Sequence, residues 1–80
     1  MILKISAARF SSDLFCGYRV KENRFGTFEI QANWKGRNGA WLILSWYRTR
    51  EQAEQVLTAL KKALNEQAES FTLPRGDGRK

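Results

Sequence analysis

Apolar and polar residues alternate most regularly between Phe28 and Lys35, where Phe28, Ile30, Ala32 and Trp34 interleave with Glu29, Gln31, Asn33 and Lys35. A period of two is the pattern of a strand with one buried face. A second strand is expected from Ala40 to Tyr47, across the turn-forming Arg37-Asn38-Gly39. The length of that turn decides its faces. A two-residue Asn38-Gly39 turn pairs Trp34 with Ile43 and sets Leu42, Leu44 and Trp46 beside Asn33 and Lys35, mixing core with solvent. A three-residue loop, with Gly39 left-handed and forming a bulge, pairs Trp34 with Leu42, Ala32 with Leu44 and Ile30 with Trp46. The second register builds one coherent apolar face and is the one expected. Glu29, Gln31, Asn33, Lys35, Trp41, Ile43, Ser45 and Tyr47 then share the outward face. Amides, a cation and two large aromatics on a solvent face suggest a binding surface.

Upstream, Leu14 to Lys21 reads as a third strand, with Leu14, Cys16, Tyr18 and Val20 inward and Phe15, Gly17, Arg19 and Lys21 outward. Cys16 is then expected as a small buried apolar filler. Asn23 and Gly26 suit the connection into the central hairpin, since both tolerate positive φ. Ile2 to Ile5 reads as a short strand or as an arm lying on the sheet, and Ser11-Ser12-Asp13 breaks the chain after it.

The helix has the clearest signals. Thr49 suits an N-cap and Gln52, three residues on, completes a capping box. Ala53, Val56, Leu57, Leu60, Ala63 and Leu64 then recur in steps of three and four, one apolar stripe that needs a sheet to cover. The expected fold is α+β: a three-stranded antiparallel sheet, with an extra N-terminal strand as an option, packed on one face by a C-terminal amphipathic helix fraying near Ala68. Residues 1–70 form the expected domain. Residues 71–80 form a basic tail, anchored at most by Phe71 and Leu73 and disordered after Pro74.

Composition narrows the function. A chain of 80 residues supports one small core, and 42% hydrophobic residues argue against global disorder. The single Cys16 excludes an intramolecular disulfide, and no charged-then-apolar leader opens the sequence, both favouring a cytoplasmic setting. No apolar run approaches the roughly 20 residues of a membrane span. The net charge of +6 is unevenly placed: residues 1–48 hold eight cations against three acids, whereas the cations and acids of residues 49–68 cancel. A one-sided basic excess is the electrostatic footprint of a polyanion binder.

With no His and one Cys, the usual general base, zinc ligand sets and Cys-His pairs are missing, and no glycine-rich loop suggests a phosphate cradle. No enzymatic activity, metal or cofactor is expected. Lys and Arg supply phosphate contacts, amides such as Gln31 and Asn33 can read adenine edges, and a sheet can lie in the major groove. Trp41 and Tyr47 would equally serve base stacking on single strands. The expected binding residues are Arg19, Lys21, Arg24, Gln31, Asn33, Lys35, Arg37, Trp41 and Tyr47.

From Tyr18 to Leu60, roughly half the chain, the pattern resembles the AP2-type DNA-binding domain and the AP2-like arm-binding domain of phage tyrosine integrases. The likeness lies in Tyr18-Arg19, in Gly26 before the alternating strand and in the tight turn Lys35-Gly36-Arg37-Asn38-Gly39. It continues through Tyr47-Arg48-Thr49-Arg50-Glu51-Gln52-Ala53-Glu54-Gln55-Val56-Leu57, leading into the helix. The resemblance implies that the sheet face turned away from the helix enters the DNA major groove, and it would assign that role to Arg19, Lys21, Gln31, Asn33, Lys35 and Trp41. Glu29, Gln31 and Ile43 stand where plant members of the family place arginines, and no catalytic integrase domain follows.

Duplex DNA is therefore the favoured partner. The rival is a protein partner, as for a small phage or plasmid inhibitor of a host protein, because Trp, Tyr and Arg also dominate protein hot spots. A homodimer is a third reading, in which a second copy covers Phe15, Trp41, Ile43 and Tyr47.

Overall fold

The structure, a computed structural model, describes residues 1–5, 8–37 and 39–74. Strands β1 (Ile2–Ile5) and β2 (Ala8–Ser11) lead through a 3-10 turn at Ser12–Leu14 into β3 (Phe15–Glu22), β4 (Phe28–Trp34) and β5 (Trp41–Tyr47). Helix α1 (Arg50–Asn65) and the short β6 (Ser70–Thr72) follow. The fold is α+β, with α1 packed on one face of an antiparallel β3-β4-β5 sheet.

The predicted capping box is present: Gln52 N donates to Thr49 Oγ1 at 3.1 Å and Thr49 N donates to Gln52 Oε1 at 3.4 Å. The helix does not run on to Ala68. It stops where Gln67 takes φ +59°, with Gln67 N donating to the Leu64 carbonyl and Ala68 N to the Ala63 carbonyl. That pair of bonds is a Schellman cap, which turns the chain sharply and satisfies two of the last carbonyls. The stripe meets the sheet as expected, with Ala53 and Leu60 fully buried beside Ile30, Ala32 and Leu44.

A second sheet, ordered β2-β1-β6, closes the end of the core. Strand β1 runs antiparallel to β2, pairing Ile2 with Ser11, and parallel to β6, pairing Ile2 with Ser70. Leu3 of β1 and Leu73, one residue past β6, enter the core here. The folded unit therefore runs to Pro74, past the boundary expected at residue 70; the expected tail at 75–80 lies outside the described residues.

Two expectations about sheet faces fail for one physical reason. The β4–β5 loop is longer than three residues: Ala32 pairs with Leu42 and Asn33 with Trp41, and Trp34 N donates to the Ala40 carbonyl. Gly36 and Gly39 both take positive φ in that loop, at 80° and 81°. The two-residue slip preserves the faces near the turn. A bulge then adds one residue to β5, so Ile30 faces Ser45, Glu29 faces Trp46 and Phe28 faces Tyr47. An extra residue reverses the side-chain alternation beyond it. Tyr47, expected outward, is 2% exposed in the core, and Trp46, expected inward, is 41% exposed.

A second irregularity, between Phe15 and Gly17, does the same at the start of β3. Phe15 is buried against Trp34, with ring centroids 5.0 Å apart, while Cys16 and Leu14 are exposed. The expected filler cysteine is thus at the surface. Phe15 and Tyr47, read as half of a dimer patch, are already covered within one chain.

Candidate functional site

The face of β3-β4-β5 turned away from α1 carries three cross-strand rows, set by the register: Gly17, Asn33 and Trp41; Arg19, Gln31 and Ile43; Lys21, Glu29 and Trp46. Strand β4 supplies the middle of each row. Its polar positions alternate with Ile30 and Ala32, which the core holds, so the pleat fixes where every amide and carboxylate emerges.

These middle residues bond to one another. Arg19 Nε donates to Gln31 Oε1 at 2.8 Å, and Gln31 Nε2 donates to Glu29 Oε1 at 2.8 Å. Asn23 Nδ2 lies 3.1 Å from the other carboxylate oxygen of Glu29 and 2.7 Å from Thr27 Oγ1, which fastens the β3–β4 turn to the same chain of bonds. The Arg19 guanidinium carbon also lies 3.8 Å from the ring centroid of Trp41, so one side chain of β3 reaches across β4 to β5. A cation over an indole face is attracted by the ring quadrupole. Bonded on both ends, Gln31 is only 7% exposed. Asn33 Oδ1 is buried with no hydrogen-bond partner.

Of the nine residues read as a binding surface, the structure gathers Arg19, Lys21, Gln31, Asn33 and Trp41 on this face. Lys35, Arg24 and Arg37 are exposed but stand off the strands, on the turns at its two ends, with the Arg24 guanidinium 5.2 Å from the Phe25 ring centroid. Tyr47 does not belong to the face. Its hydroxyl donates to the Pro74 carbonyl at 2.8 Å, and burial raises its pKa above 10.0, an effect that a hydrogen bond with Ser45 partly offsets. Trp46 belongs to the face instead, beside Ile43, which is 46% exposed. No sequence signal pointed to Trp46, because the run Leu42 to Tyr47 offers a large apolar residue in either alternation.

Among the described residues, no cluster of three His, Cys, Asp or Glu could hold a metal ion, and no helix is long and apolar enough to cross a membrane. No family model, curated protein or solved structure matches the chain.

Proposed function

We propose that this is a small basic nucleic-acid-binding protein, without catalytic chemistry, that lays the outer face of β3-β4-β5 against double-stranded DNA. The observation that carries the reading is the placement of exposed cations around that face: Lys21 on it, Arg24 on the turn at one end, Lys35 and Arg37 on the turn at the other. Cations at the margins of a face can meet the phosphates on either side of a groove, and each contact releases condensed counterions. Two inter-strand spacings put β3 and β5 about 10 Å apart, a width that a major groove of about 12 Å accommodates. The resemblance to AP2-like domains would give the same face the same role, and the cytoplasmic setting and phage or mobile-element origin belong to this proposal.

The test is a salt series on purified protein with bulk duplex DNA. Retardation at moderate salt that is lost at high salt supports the reading; affinity that ignores salt, or no binding at low ionic strength, overturns it.

One observation favours a second reading, a protein partner. Ile43 and Trp46 lie side by side on the outer edge of the face, each more than 40% exposed. An exposed tryptophan on an apolar patch is the kind of anchor that carries protein interfaces, and Trp46→Ala would then cost at least about 2 kcal/mol toward the partner.

A further inference from the structure

Read from sequence, Gln31 and Asn33 are base readers, because a side-chain amide can bridge the N6 and N7 edge of adenine. That contact needs an amide oxygen free to accept and an amide nitrogen free to donate, both presented to the groove. Gln31 presents neither. Its oxygen accepts from Arg19, its nitrogen donates to Glu29, and the residue is 7% exposed. Releasing it would break a chain of bonds that links Arg19, Glu29 and Asn23 and would loosen Arg19 from Trp41.

Asn33 fails for a different reason. Its Oδ1 is buried. Exchanging the two ends of the amide would bury the nitrogen in its place, so only half of the group reaches the groove in either orientation. What the face turns outward is charge at its margins, from Lys21, Lys35, Arg24 and Arg37, and the apolar surface of Ile43 and Trp46. Cations standing at the margins of the face meet phosphates, and phosphate contacts fix position on a duplex and carry no sequence information directly.

Resting on the nucleic-acid reading above, we infer that the protein binds duplex DNA through its phosphate backbone, without reading sequence. The amides of β4 form a braced floor, and the ligand class is B-form duplex of any composition.

The experiment is competition binding of the wild-type protein, at low salt, against duplexes of equal length and unrelated sequence, with the matching single strands alongside. The expected affinities for the duplexes agree within about fivefold, because one bidentate base contact alone discriminates by roughly fivefold to hundredfold. A larger preference for any one duplex overturns the inference and leaves the nucleic-acid reading standing, whereas tighter binding to single strands overturns the inference and the choice of duplex as partner. Failure to bind any duplex overturns that reading and the inference together. Gln31→Ala is expected to change affinity for every duplex by the same factor. A loss confined to adenine-containing duplexes would make Gln31 a reader and defeat the inference.

Discussion

The two faces of the β3-β4-β5 sheet come from the same strands and hold their side chains by opposite means. On the inner face Ile30 and Ala32 are fully buried, as is Leu60 of α1 packed against them, and their stabilisation is non-directional, about 25 cal/mol for each Å² of apolar surface removed from water. On the outer face Arg19, Gln31, Glu29 and Asn23 are held by directional bonds of 2.8 to 3.1 Å. Each such bond contributes only about 0.5–1.5 kcal/mol net, or roughly 1.5–3 where a charge takes part, yet leaving a partner unpaired is costly. A polar residue on a solvent-facing strand is therefore not by default a free one. Polarity on this face reports internal bracing.

The largest effects should fall on the inner face. Leu60→Ala is expected to cost about 2–5 kcal/mol and Tyr47→Ala about 3–5 kcal/mol in urea denaturation. Trp46→Ala, one position along the same strand, should cost less than about 1 kcal/mol. If Trp46 proved the more costly of the two, β5 would lack its bulge.

Next comes the outer network. Gln31→Ala leaves Arg19 and Glu29 each short of a partner and should destabilise by about 1–3 kcal/mol. A change within about 0.5 kcal/mol would mean that those bonds contribute nothing beyond what water supplies.

Tyr47→Phe probes the inner face more gently, through the hydroxyl alone, and should cost about 1 kcal/mol at neutral pH. The folded state holds this proton above the ordinary 10.0, chiefly through burial. That contribution is fully present below the unfolded pKa and is lost as pH rises through the folded one. Wild-type stability should accordingly fall above about pH 10, and the variant should fall less steeply, keeping only the share of Tyr18, whose pKa burial and Asp13 also raise. Equal slopes in the two proteins would show that Tyr47 is solvated.

The smallest stability effects belong to the margins of the outer face. Lys21→Ala and Lys35→Ala should each leave stability within about 0.5 kcal/mol. Each should also lower the slope of log affinity against log salt on duplex DNA by about 0.9. An unchanged slope would take that lysine out of the interface.

Strand β4 was legible because its own apolar and polar residues alternate without a break from Phe28 to Trp34, and α1 was legible because capping and periodicity agree. Legibility stopped at the bulges. Near Cys16 and near Leu44 the sequence carries apolar residues at consecutive positions, so both alternations look plausible and only the volume of the folded core selects between them. Strands β2 and β6, of four and three residues, are too short to display a period. The outward-facing residues were located by face wherever the alternation held, as at Arg19, Lys21 and Trp41. What sequence cannot express is that Gln31 is buried with one hydrogen bond already made at each end of its amide.

The pairing of β1 with β6 bears on how the chain folds in time. Strands β3, β4 and β5 are joined by adjacent turns and can pair early, whereas Ile2 must wait for Ser70. The entropy of closing so long a loop grows only logarithmically with length, but contacts distant in sequence form slowly. Until that seam closes, Leu3 and Leu73, both deep in the finished core, remain in water. The join between these two strands is thus the expected slow step of folding, and the interval before it forms is when the apolar edge of β1 is most open to pairing with another molecule.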